Sequence, residues 1–121
     1  MDIQLKRIYE PADPQDGLRI LVDRVWPRGM TKAQVQVDLW LRNVAPSTAL
    51  RKWFGHDRSR WEVFKRRYFA ELDSQPEVLA PLIEKAAQGR VTFLFAARDL
   101  EFNQAVALTD YLLASSDKNP G

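Results

Sequence analysis

The chain has 121 residues, 45% of them hydrophobic and 28% charged, a balance typical of one folded domain rather than of a disordered segment. It contains no cysteine and a single histidine, which excludes disulfides, thiolate nucleophiles, iron–sulfur clusters and cysteine or histidine-pair zinc sites. The net charge is +2, and no apolar run is long enough for a secretory signal or a membrane span. We therefore expect a cytoplasmic protein without membrane association, bound metal or other cofactor.

The first half of the chain predicts three strands. Alternating residues favour a strand over 3–8, and two prolines and a glycine predict a loop over 10–17. The stretch 18–26 is rich in β-branched and aromatic residues and predicts a second strand. Thr31 is a suitable helix N-cap, but alternation over 35–42 favours a third, half-buried strand, with a helix as the alternative.

The second half predicts four helices around one strand. A short helix starts at Pro46–Ser47 and ends near Gly55, a typical C-cap. Two capping-box signatures, each a serine followed three residues later by a glutamate, predict the starts of the next two helices. The residues of these two signatures are Ser59 with Glu62 and Ser74 with Glu77. The first of these helices has one apolar stripe. The stripe consists of Trp61, Phe64, Tyr68 and Leu72.

A continuous apolar run over 91–96 predicts a central parallel strand covered on both faces. Asp99 is placed to cap the last helix. Strands separated by helical stretches predict a single three-layer α/β domain with a small, mainly parallel sheet flanked by helices. We assign residues 1–115 to this domain and the polar residues 116–121 to a flexible C-terminal tail.

The turn after the second strand is the first candidate site. Ligands collect at the carboxyl ends of strands in open α/β sheets, and this turn carries Asp23, Arg24, Trp26 and Arg28. The arginines suit carboxylate or phosphate, and the indole offers a flat stacking face. The alternative is structural, with Asp23 paired to an arginine and Trp26 in the core.

A second candidate site follows the 91–96 strand. Backbone amides at a helix start hold anions well, and Arg98 and Asn103 lie beside them. In the alternative interpretation Asp99 only caps the helix and Arg98 is solvated. His56 is a third candidate as an acid–base group, although a lone histidine in a loop is more often a surface residue.

The segment 51–67 is strongly basic, with seven basic residues against two acidic ones and hence a net charge of +5. Such a local field favours phosphates, nucleic acid or an acidic protein partner. The alternative is an ordinary solvated helix face. No glycine-rich phosphate loop and no GxSxG nucleophile motif is present, which removes the well-marked nucleotide and serine-hydrolase classes.

Three blocks resemble the YeaO-like branch of the bacterial domain-of-unknown-function family 488 (DUF488). They are ILVDRVWPRG (20–29), DLWLRNVAPSTALRKWFGHD (38–57) and FLFAARDLEFNQA (93–105). The resemblance implies that distant members carry one cysteine near the end of the last strand and a second, followed by His and Arg, in the following helix. Residues 95–97 and 103–105 of this chain have no thiol, so it lacks any chemistry based on them. The branch also tends to have histidine where this chain has Phe102 and Gln104.

These observations favour a binding domain for a small anion or nucleotide-like ligand, built from Arg24, Arg28, Arg98 and nearby aromatic residues. One alternative is a hydrolase or transferase acting on a phosphate-bearing or nucleic-acid substrate, with Asp23, His56 or Asp99 as acid–base groups. A protein–protein interaction module is the other. Nucleic acid is a less favoured partner than a small anion, and neither ligand identity nor oligomeric state follows from the sequence.

Overall fold

A computed structural model describes residues 1–118, with side chains described through residue 115. These residues form four strands and five α-helices, with three consecutive helices between the third and fourth strands. The strands are β1 (Ile3–Arg7), β2 (Leu18–Leu21), β3 (Leu39–Trp40) and β4 (Val91–Phe95). The helices are α1 (Lys32–Val35), α2 (Thr48–Phe54), α3 (Trp61–Asp73), α4 (Pro76–Gln88) and α5 (Gln104–Lys118).

All pairings in the sheet are parallel, and the strand order is β1-β4-β2-β3. Strand β4 is central, as its unbroken apolar run predicts, and every one of its five residues is buried. The predicted α/β class with a small parallel sheet is therefore confirmed.

The two faces of the sheet are covered unequally. On one face, Ile20 and Phe93 pack into a large core with residues of α2, α3, α4 and α5. On the other, Leu21 and Leu94 form a smaller cluster with Val35 of the single-turn helix α1. The domain has three layers, but the second helical layer is thin and consists mainly of the segment between β2 and β3.

Two predicted strands are shorter than expected. Strand β2 ends at Leu21, although the Val22 N–H still donates to the Leu94 carbonyl at 3.2 Å before the chain leaves the sheet. The predicted strand over 35–42 is reduced to β3, because Val35 belongs to α1 and Gln36 adopts the left-handed conformation with φ of 53°. A left-handed residue cannot continue a strand.

Neither predicted capping box forms. The Ser59 hydroxyl donates to Asp57 at 2.6 Å, because Asp57 caps a 3₁₀ turn (Arg58–Arg60) that precedes α3. Ser74 instead ends α3, where its hydroxyl donates to the Glu71 carbonyl at 2.7 Å. Other predicted caps are confirmed, namely Thr31 at the start of α1 and Gly55 at the end of α2.

Helix α5 starts five residues later than Asp99, which is therefore not its cap. The Asn103 carboxamide oxygen accepts the Val106 N–H at 3.0 Å and caps the helix instead. The helix continues to Lys118, three residues into the predicted tail, and residues 119–121 lie outside the described part of the chain. Across residues 1–118, no helix combines the length and apolar character that crossing a membrane requires.

Candidate functional site

A cleft of about 860 Å³ lies at the carboxyl edge of the sheet, and we call it the strand-end cleft. It is lined by the segments that follow β1, β2 and β4, because parallel strands end on the same side. All eight residues singled out from the sequence line it. They are Asp23, Arg24, Trp26, Arg28, His56, Arg98, Asp99 and Asn103.

Asp23 is the buried carboxyl group of the cleft, with only 8% of its surface exposed. One oxygen accepts the Ala96 N–H at 2.9 Å, and the other accepts the Gln104 side-chain amide. Burial raises the pKa of Asp23 to about 6, and these two hydrogen bonds and the charge of Arg51 offset part of that rise. The carboxyl group is therefore mostly ionised at neutral pH and gains a proton in mildly acidic solution.

Arg24 and Trp26 shape the cleft through bonds to the backbone. The Arg24 guanidinium donates to the carbonyls of Ala45 and Pro46, both at 3.1 Å, and fixes the segment that leads into α2. The Trp26 indole donates to the Met30 carbonyl at 2.7 Å and lies edge-on to Trp40, with ring centroids 5.4 Å apart. Both residues contribute to the wall, and two of the five Arg24 N–H donors are bonded to backbone carbonyls.

Four of the cations that line the cleft are exposed, and we call them the cationic rim: Arg28, Arg51, Lys52 and Arg98. Within residues 1–115, none of their side chains forms an ion pair or a hydrogen bond. The sequence singled out Arg51 and Lys52 only as members of the basic segment 51–67. In the structure both residues line the cleft. The sequence places both residues in the last turn of the predicted helix, but it does not indicate that this turn reaches the cleft.

Asp99 and Asn103 support the loop after β4. Asp99 accepts the Glu101 and Phe102 N–H groups and pairs with Arg58 at 2.9 Å, and the two backbone bonds hold its pKa below the usual range. Asn103 is 1% exposed, and its amide donates to the Asp99 carbonyl at 2.8 Å while its oxygen caps α5. Both polar ends of Asn103 are thus engaged in structure.

His56 lies on the rim side of the cleft, exposed and in the left-handed conformation with φ of 58°. Its ring centroid is 6.4 Å from that of Phe54. Across the described residues, no group of three His, Asp or Glu side chains is arranged to hold a metal ion.

The basic segment 51–67 does not form one continuous face. Arg58 pairs with Asp99, and Lys65 pairs with Asp110 at 3.2 Å. The guanidinium of Arg67 lies over the Trp53 ring, 4.5 Å from its centroid. The positive charges of segment 51–67 are therefore divided between the cleft, local ion pairs and aromatic contacts.

The family model described as the inactive DUF488-N3 subclade matches residues 2–120. The chain belongs to this subclade. Two related proteins are the uncharacterized protein YeaO of Escherichia coli, 40% identical over 112 residues, and the uncharacterized protein Rv3073c of Mycobacterium tuberculosis, 38% identical over 110 residues. These matches cover 93% of this chain and 97% of YeaO, and 91% of this chain and 92% of Rv3073c. No solved structure matches the chain significantly.

Membership of the inactive DUF488-N3 subclade confirms the resemblance that the three sequence blocks indicate. The stretches where distant DUF488 members are expected to carry cysteine both reach the strand-end cleft. Ala96, Ala97 and Gln104 line it, and none of them is a nucleophile. In this chain Gln104 is instead a hydrogen-bond donor to Asp23.

Proposed function

We propose that this chain is a non-catalytic binding domain whose strand-end cleft holds a small phosphate-bearing ligand. The observation that carries the proposal is the cationic rim, four cations without carboxylate partners in residues 1–115 around a single cleft. Unpaired guanidinium groups at a strand-end cleft suit a phosphate, which accepts two hydrogen bonds from each. The subclade's description as inactive supports binding without turnover.

The apolar part of the lining supports a ligand larger than a free anion. Tyr9 and Val25, at the mouth, are 46% and 56% exposed, and Phe54 and Phe64 are buried beneath. Ligand sites of this kind combine apolar walls with a few polar groups that fix orientation. A nucleoside monophosphate or another phosphate ester matches this combination.

The test is a titration with inorganic phosphate and with adenosine monophosphate, followed by the fluorescence of the tryptophans, of which Trp26 lines the cleft. Arg28→Ala and Arg98→Ala should each weaken binding about tenfold or more, since a charge-assisted hydrogen bond contributes about 1.5–3 kcal/mol. Arg66→Ala is the matched control, because Arg66 is exposed and does not line the cleft. Absence of binding, or equal weakening by the control, would overturn the proposal.

A second candidate is a hydrolase or transferase of phosphate esters with Asp23 as the acid–base group. The pKa of Asp23, about 6 in a cleft, is the observation that favours it. Against it, both carboxyl oxygens of Asp23 already accept hydrogen bonds and the subclade is described as inactive. Release of inorganic phosphate from adenosine monophosphate by the wild-type protein, but not by Asp23→Asn, would establish this alternative.

A further inference from the structure

Charge in the strand-end cleft is arranged by depth. The cationic rim is exposed, whereas three other residues that line the cleft, Asp23, Phe54 and Phe64, are buried. We call these three buried residues the floor. The second carboxylate of the cleft, Asp99, is neutralised by Arg58. Asp23 has no ion-pair partner among the described residues.

An ionised carboxylate offers about four acceptor positions, and two of those on Asp23 are taken by Ala96 and Gln104. The remaining positions have no protein donor in residues 1–115. A phosphate placed on the floor would meet this negative charge at close range, which is unfavourable in a partly desolvated site. The phosphate therefore belongs at the rim, and the floor suits a group that donates hydrogen bonds.

Resting on the proposed function, we infer that the ligand is a phosphate ester of a polyhydroxy compound, with its phosphate at the cationic rim and its hydroxyl groups donating to Asp23. Asp23 is thus a specificity-determining residue. It selects against phosphate esters whose remaining part is purely apolar, because those would leave the remaining acceptor positions of the buried carboxylate without a donor. Its pKa of about 6 keeps it in the accepting, ionised form at neutral pH.

Glycerol 3-phosphate and propyl phosphate are a matched pair of probes, with three carbons and one phosphate each and differing in two hydroxyl groups. At neutral pH, the wild-type protein should bind glycerol 3-phosphate about tenfold or more tightly than propyl phosphate. This is the ratio expected when one ligand donates a hydrogen bond to a buried charged acceptor and the other ligand cannot. This comparison needs no variant, so it does not depend on the folding of a mutant. Equal affinity for the two probes would overturn the inference.

Two variants assign the preference to Asp23. Asp23→Ala should remove the preference for glycerol 3-phosphate. Asp23→Asn, which has the same shape and keeps one acceptor oxygen, should reduce the preference. The unfolding midpoint of each variant checks that it is folded. Asp110→Asn is the control, since Asp110 pairs with Lys65 and does not line the cleft. A preference that survives in a folded Asp23→Ala protein would place the recognising group elsewhere.

Failure of the inference and failure of the proposed function are distinguishable in the same titrations. If neither probe nor inorganic phosphate binds, the proposed anion site is wrong, and with it the proposed function. If all three compounds bind with equal affinity and Arg28→Ala weakens the binding of all three, the proposed phosphate site is supported and the proposed role of Asp23 is wrong.

Discussion

At the scale of single residues, Asp23 is the point at which several elements meet at the edge of the cleft. Its carboxyl group joins three elements, since it follows β2, accepts from the loop after β4 and accepts from the first residue of α5. The Trp40 indole also donates to its backbone carbonyl at 2.7 Å, which adds β3. Burial of an ionised group without an ion-pair partner is unfavourable, so this junction lowers stability at neutral pH.

The raised pKa of Asp23 gives a stability prediction with a defined sign. In the unfolded chain this carboxyl group titrates near 3.8, and in the folded protein near 6. Between these values the folded state holds the proton more tightly, so the free energy of unfolding falls as pH rises from about 4 to about 6 and this contribution is constant above. The full effect is on the order of 3 kcal/mol.

Asp23→Asn removes this titration and keeps the shape of the side chain. Relative to wild type, the variant should gain stability as pH rises through this window and keep the gain at pH 7. Urea unfolding of both proteins at several pH values measures the difference, in which the contributions of other carboxyl groups, such as Asp16, cancel. A difference independent of pH would contradict the raised pKa.

The residue scale also shows what sequence reasoning could reach. Asp23, Arg28 and Arg98 were predictable as neighbours, because parallel strands bring their carboxyl ends to one edge. Arg51 and Lys52 were not, since their place depends on how α2 packs on the sheet, and residue spacing does not encode this. Asn103 was predicted as a ligand-binding residue only because it lies near Arg98 in the sequence. In the structure its side chain caps the start of α5.

At the scale of elements, an apolar stripe at helical spacing predicted α3 and an unbroken apolar run predicted β4, whereas local polar signals were less dependable. Ser59 and Ser74 match the capping pattern, yet each bonds a nearer partner that the chain turn brings into reach, Asp57 and the Glu71 carbonyl respectively. Side chains of this type satisfy whichever backbone or side-chain group lies closest. The third predicted strand is shortened to Leu39–Trp40, because Val35 belongs to α1 and the left-handed Gln36 cannot be part of a strand.

The apolar stripe of α3 leads to a prediction about stability. Phe64 is 1% exposed and stacks on Phe54 with centroids 4.3 Å apart. Phe64→Ala should therefore lower the free energy of unfolding by about 3–5 kcal/mol, the range for emptying a buried aromatic site. Urea unfolding monitored by circular dichroism measures the change.

Phe69→Ala is the matched control on the same helix, because it removes the same atoms from a half-buried ring that contacts Tyr111. The loss there should be clearly smaller. Equal losses at the two positions would mean that the stripe does not face the core as described.

At the scale of the whole molecule, the division of the +5 segment favours a small anion over nucleic acid as the proposed ligand. Nucleic-acid binding along a surface needs a row of available cations, and each neutralised phosphate contributes about −0.9 to the log–log salt slope on duplex DNA. Ion pairs already occupy Arg58 and Lys65. We therefore expect weak oligonucleotide binding with a shallow salt dependence.

Titration with a duplex oligonucleotide and with adenosine monophosphate at about 50 and about 200 mM salt measures this difference. Charge reversal at Arg66 and Arg67 should leave mononucleotide binding unchanged, because neither residue lines the cleft. A steep salt slope for the oligonucleotide that disappears on this charge reversal would favour a nucleic-acid partner instead.

The central position of β4 has a consequence for how the chain folds. Among the described residues 1–118, strand β1 pairs only with β4, which follows it by more than 80 residues, and β4 lies between β1 and β2. During synthesis on a ribosome, β1 therefore emerges long before its pairing strand, and the segments of α2, α3 and α4 emerge between the two. Contacts between residues so far apart in the chain slow the search for the native topology. Formation of the sheet and closure of the cleft should then be a single late event, completed when β4 inserts between its two neighbours.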